Sequence, residues 1–131
     1  MNQVFADSYY WLALIHKRDP DHERVRGYEV KGVMVTSVAV QLEVMDALSG
    51  MALRPAANSF WNSCAILPNL EVVPLAQDLL ERSAALFAAR PDKDWSLTDC
   101  IAFAIMQDCG IRLALTGDHH FVQAGFEIAF P

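Results

Sequence analysis

Cys64, Cys100 and Cys109 are too few and odd in number for a disulfide framework, and no two of them form a C-x-x-C pair. That excludes a disulfide-stapled scaffold and a thiolate zinc site, and it fits a reducing compartment, the cytoplasm. No apolar run approaches the ~20 residues of a membrane span, and Met1-Asn2-Gln3 puts no charged segment ahead of an apolar one, so a soluble, unprocessed chain with no membrane association is expected. Positive charge is scarce too. Ten lysines and arginines stand against sixteen acids, a net charge of −6, which argues against a nucleic-acid binder held by bulk positive charge. Internal repeats and low-complexity segments are also missing. What is present is 131 residues, 53% of them hydrophobic, enough for one domain spanning 1–131 with a sizeable core.

Short apolar runs alternate with longer helical ones. Val4-Phe5-Ala6 reads as a strand, Tyr9 to His16 as a helix, Gly32 to Thr36 as a second strand, and Val38 to about Leu48 as a helix capped by Ser37. Along that helix Val40, Val44, Ala47 and Leu48 mark one apolar stripe. Gly50 to Ala57 reads as a loop, followed by a helix through Phe60, Trp61, Cys64 and Leu67. Leu70 to Leu75 is a third strand, with Pro74 confined to a strand end or an edge. Gln77 to Arg90 is an amphipathic helix with Leu79, Leu80, Ala84 and Phe87 on its core side. A helix follows from Ser96 to Cys109 with Gly110 as its stop, then a strand from Ile111 to Thr116, a turn or brief helix at Gln123 to Gly125, and a final strand from Phe126 to Phe130. Alternating strands and helices predict an α/β layered domain with a mainly parallel sheet.

The acids fall at informative places in this pattern. Ser96 and Asp99 have the spacing of a capping box, and Cys100 to Met106 is apolar on every side, so Asp99 is an acid at the mouth of a buried helix. Capping alone is sufficient reason for Asp99. Asp7 closes the first strand, where Ser8 can cap the next helix, and Asp118 follows the fourth. The carboxyl edge of a parallel sheet is where ligands bind. Glu43 borders the apolar stripe of its helix, where a glutamate is ordinarily exposed or paired with a base such as Arg54. Four carboxylates in one cleft repel by roughly 4 kcal/mol per pair at ~4 Å and an effective dielectric of ~20, so a proton or a cation must offset them. An all-oxygen set suits Mg²⁺ or Mn²⁺. His119 and His120 beside Asp118 offer a softer metal two ligands, but tandem histidines point in different directions and a surface turn is their ordinary place. Lys17, Arg18, Arg24, Arg26 and Lys31 are half of all the basic residues; a solvated face accounts for them, and a phosphate backbone would meet them first. Packing or a partner surface accounts equally for Tyr9-Tyr10-Trp11.

Val4-Phe5-Ala6-Asp7-Ser8, the lone Glu43, Trp95-Ser96-Leu97-Thr98-Asp99, and Leu115-Thr116-Gly117-Asp118-His119-His120-Phe121 with Gly125-Phe126 resemble the successive motifs of PIN-domain ribonucleases. The pattern is most similar to the VapC-type toxins of toxin–antitoxin pairs and covers essentially the whole chain. The resemblance implies a three-layer α/β/α PIN-like domain and metal-dependent endonucleolytic hydrolysis of RNA. It implies Asp7, Glu43, Asp99 and Asp118 as ligands of one or two Mg²⁺ or Mn²⁺ ions, with Glu43 acting directly or through water. Ser8 and Thr116 would hydrogen-bond the ligands, and Ser96 would cap the helix presenting Asp99. A homodimer and a cognate antitoxin follow as implied partners. The alternative is a catalytically silent PIN-fold module that binds RNA or protein. A haloacid dehalogenase phosphatase would need D-x-D where Asp7 is followed by Ser8 and Tyr9, and a receiver domain would need adjacent acids near the first strand and a lysine after a late strand.

Overall fold

Runs with β-branched and aromatic residues, such as Val4-Phe5 and Val33-Met34-Val35-Thr36, suit a pleated, half-buried surface, and the computed structural model, which describes residues 2–131, joins five short strands into one sheet. Met1 lies outside the described residues. In chain order the elements are β1 (Gln3–Ala6), α1 (Ser8–Ile15), α2 (His22–Arg26), β2 (Val33–Ser37), α3 (Val38–Ala47), α4 (Arg54–Cys64), β3 (Leu70–Val73), α5 (Gln77–Ala89), α6 (Leu97–Cys109), β4 (Leu113–Leu115), α7 (His119–Gln123) and β5 (Glu127–Ile128). The strands lie in the order β3-β2-β1-β4-β5 and every pairing is parallel. Parallel neighbours need crossover connections, and helices supply them. Contacts of α1 with α2 and α3, and of α3 with α4, make one helical group. Contacts of α6 with α5 and α7 make a second. The result is the expected three-layer α/β/α architecture, with β1 at the centre of the sheet.

Local chemistry sets several boundaries. Ser37 Oγ accepts the Val40 N–H at 3.1 Å and opens α3. Gly110, at φ 67°, takes the left-handed conformation that ends α6. The buried face of α6 includes Cys100, Ile101, Ala102, Phe103, Ile105 and Met106, so the expectation of a buried helix holds. Pro74 follows β3, which is an edge strand. Trp11 donates its indole N–H to Thr36 Oγ1 at 3.3 Å, and Thr36 Oγ1 donates to the Ala6 carbonyl at 2.8 Å, which ties α1 and β2 to the end of β1. Tyr10 and Trp11 are buried. Packing therefore accounts for most of the aromatic cluster Tyr9-Tyr10-Trp11.

Three local expectations need correction. Helix α4 begins at Arg54, inside the expected loop, because Pro55 sits in its first turn, where a missing N–H leaves no bond unmade. The buried row of α5 is Leu79 and Ser83 rather than one containing Ala84 and Phe87, both of which are exposed. Ser83 tolerates burial because its hydroxyl donates to the Leu79 carbonyl at 2.7 Å. On α3, Ala47 is exposed and Gln41 is buried in the row beside Val40 and Val44. No helix among the described residues is long and apolar enough to cross a membrane.

Candidate active site

The strand order reverses between β1 and β4, and that switch opens a crevice at the carboxyl edge of the sheet. Asp7 follows β1 directly and Asp118 follows β4 across Thr116 and Gly117, so the register Ala6↔Leu115 sets the two acids on opposite sides of the crevice. Thr116, fully buried, connects them. Its hydroxyl donates to Asp7 Oδ2 at 3.0 Å and accepts the Asp118 N–H at 3.1 Å. A side chain on Gly117 would place Cβ 2.9 Å from the Phe130 carbonyl oxygen and 3.0 Å from the Tyr9 ring, so only glycine fits between Thr116 and Asp118.

Asp99 enters from α6. Ser96 Oγ accepts the Asp99 N–H at 3.0 Å while Asp99 Oδ2 accepts the Ser96 N–H at 3.1 Å, the reciprocal pair of a capping box. The same Oδ2 lies 3.0 Å from His120 Nδ1. Asp99 therefore both caps α6 and faces the crevice. Asp118 caps α7, and its Oδ1 accepts the His120 N–H at 2.9 Å. That cap places His120 in the second position of the helix and brings Nδ1 to 3.4 Å from Asp118 Oδ1. Asp99, Asp118 and His120 each offer one atom within 4.8 Å of the others, a spacing that one ion can span. The expectation that both histidines occupy a surface turn is corrected here. They begin α7, with His119 exposed and His120 brought beside Asp99, a contact that sequence reasoning did not find. Its visible signal was an aspartate two residues ahead, in position to cap a helix.

Burial and charge define the electrostatics. Asp7 is only 5% exposed, and its carboxyl is pushed up to about 7, first by burial and then by the neighbouring charges of Asp99 and Glu43. The Ser8 main-chain N–H and the Thr116 hydroxyl act in the opposite direction. Ser8 is the first residue of α1 and touches Asp7 through its backbone. Glu43 stands apart from the hydrogen-bonded group. It lines a groove of about 280 Å³ between α3 and α6, together with Leu42, Thr98 and Ile101. Arg54 does not pair with it, and among the described residues no lysine or arginine forms an ion pair with any of the four acids. The site collects like charge and contains no fixed cation to balance it.

The family model described as PIN domain matches residues 4–127. The chain belongs to the PIN-domain family. The fold of this PIN domain is shared with VapC20 of Mycobacterium tuberculosis, described as a sarcin–ricin loop cleaving toxin. The two are 25% identical with a TM-score of 0.87, over 94% of this chain and 95% of the other. A DNA-bound VapBC from Salmonella typhimurium is 17% identical with a TM-score of 0.69, over 98% and 97% of the two chains. FitAcB from Neisseria gonorrhoeae is 15% identical with a TM-score of 0.68, over 95% of each. These two share the fold of the PIN domain. No curated protein sequence matches it.

Proposed function

We propose that this PIN domain is a divalent-metal-dependent endoribonuclease, the toxin of a toxin–antitoxin pair acting in the cytoplasm. The observation that carries this reading is the gathering of acids at the carboxyl edge, where buried Asp7 is tied through Thr116 to Asp118, Asp99 stands within reach of Asp118, and among the described residues no lysine or arginine pairs with them. The donor set fits the ion. Carboxylate oxygens from Asp7, Asp99, Asp118 and Glu43 suit Mg²⁺ or Mn²⁺, which keep several waters and accept few protein ligands. A bound ion supplies charge that acidifies a water and offsets negative charge on the phosphate.

The chain's own contribution is preorganisation. Thr116 fixes Asp7 Oδ2, the Ser96 N–H fixes Asp99 Oδ2, and the His120 N–H fixes Asp118 Oδ1. These bonds hold each carboxylate in one orientation at the crevice, before any ion arrives. Glu43 on the groove wall completes the set directly or through water. RNA approaches over the open carboxyl edge, and its 3′ oxygen departs as the phosphodiester is hydrolysed. An antitoxin would find an apolar groove of about 430 Å³ lined by Trp11, Leu14, Ile15, Phe60 and Leu67. A homodimer is the proposed assembly.

The test is incubation of the purified chain with total cellular RNA and with a sarcin–ricin loop hairpin in Mn²⁺, mapping new 5′ ends by sequencing. The hairpin is included because VapC20 is described as cleaving it. Discrete cuts that vanish in Asp99→Asn support the reading. Intact RNA that stays bound to the protein would instead identify a silent binding module.

A further inference from the structure

We propose, resting on the nuclease reading above, that His120 supplies a nitrogen ligand to the ion held by Asp99 and Asp118, and that this shifts the site's preference from Mg²⁺ toward first-row transition ions such as Mn²⁺.

The ring is aimed by structure on both sides of it. Asp118 caps α7 and holds the His120 N–H, while Phe121, the next residue, is fully buried with its ring 5.0 Å from Phe103. Gln123 at the end of the same helix accepts the Trp95 indole N–H at 3.0 Å, tying α7 to the segment just before Ser96. Helix α7 is thus fixed against α6, and the His120 side chain is turned inward and only 29% exposed.

Its Nδ1 lies 3.0 Å from Asp99 Oδ2 and 3.4 Å from Asp118 Oδ1. Adjacent donors on an octahedral ion with bonds of about 2.1 Å are separated by about 3 Å. A nitrogen standing between two carboxylates at that separation is placed as a third donor to one ion. Orientation of Asp99 does not depend on it, because the Ser96 N–H already fixes Oδ2 at 3.1 Å. His119 is outside the group that shares the 4.8 Å span, so the assignment concerns one ring of the tandem pair. Mg²⁺ strongly favours oxygen ligands and water, whereas first-row transition ions accept imidazole as well as carboxylate. Replacing one oxygen by this nitrogen therefore weakens the site for Mg²⁺ relative to Mn²⁺ or Co²⁺.

The experiment loads the metal-free full chain with Mn²⁺ in a nitrogen-free buffer and reads ¹⁴N coupling to the bound ion by pulsed EPR. Wild type, His119→Asn and His120→Asn are compared, with a thermal melt to check each fold. In parallel, Mg²⁺ is titrated in to displace Mn²⁺. Nitrogen coupling is expected in wild type and His119→Asn and absent in His120→Asn, and the Mg²⁺ needed to displace half the Mn²⁺ should fall about tenfold in His120→Asn. Bound Mn²⁺ without nitrogen coupling in wild type would overturn the inference and leave the carboxylate site standing, with His120 as a hydrogen-bond donor to Asp99. Coupling that survives in His120→Asn would also overturn it, by assigning the nitrogen elsewhere. Mn²⁺ that stays free in solution would remove the nuclease reading itself.

Discussion

In the absence of metal, Asp7→Asn should make this protein more stable, and the gain should grow with pH. The Asp7 carboxyl is pushed up to about 7, first by burial, whereas its ordinary value is 3.8. Between those values the folded state holds a proton that the unfolded chain has released, so stability falls as pH rises through this window and levels off above it. The gap corresponds to about 4 kcal/mol over the whole titration, at ~1.4 kcal/mol per pH unit. About 2–3 kcal/mol of it should develop between about pH 5 and about pH 8. Asparagine has nearly the same shape, carries no charge and presents an oxygen to the Thr116 hydroxyl that now bonds Asp7 Oδ2 at 3.0 Å. The variant should therefore lack this slope. Urea unfolding of both proteins in EDTA at about pH 5 and about pH 8, followed by circular dichroism, measures it. The difference between the two proteins at each pH cancels the other titrating groups. A difference that does not change with pH, or a variant less stable than wild type at about pH 8, would show that ionised Asp7 is unstressed. The electrostatic demand for a cation would then have no basis.

Three further outcomes are expected. Asp99→Asn should keep the fold, since asparagine can accept the Ser96 N–H, and should abolish metal-dependent cleavage of a labelled RNA. Cleavage at the wild-type rate would remove Asp99 from the site. Millimolar Mn²⁺ or Mg²⁺ should raise the melting temperature of wild type by several degrees, corresponding to about 2.7 kcal/mol when the ion is at ~100 times Kd. In Asp118→Asn that rise should shrink, and an equal response in both proteins would separate Asp118 from the ion. Gly117→Ala should destabilise the protein by about 1–3 kcal/mol, because the new methyl meets the Phe130 carbonyl at 2.9 Å and the Tyr9 ring at 3.0 Å. A thermal melt unchanged from wild type would contradict that packing.

Much of the fold was legible because its signals are local. The Ser96–Asp99 capping box, the Ser37 cap, the Gly110 stop and the apolar strands each depend on residues within a few positions of one another. The carboxyl-edge placement of Asp7 and Asp118 followed from strand ends alone. Other features depend on contacts that sequence spacing does not carry. Ser83 is buried because its hydroxyl has a carbonyl to bond within the same helix, which a reading of hydropathy assigns to solvent. His120 reaches Asp99 across a separation of 21 residues through the packing of α7 on α6, so Asp118 could signal a helix start but not where the ring would end. Pro55 reads as a loop residue and equally as the first turn of a helix; the structure selects the second.

The Thr116 hydroxyl joins Asp7 to the loop of Asp118 across 109 residues of chain. Synthesis delivers Asp7 long before Asp118. Until β4 is made, β1 has only β2 beside it, and its second edge is open. Asp7 and Asp118 then have to meet by closing a loop of 109 residues between Asp7 and Thr116, a slow kind of contact to form. A copy made only as far as α6 thus carries Asp7, Glu43 and Asp99 without the Thr116 hydroxyl, and alignment of the proposed site waits for β4.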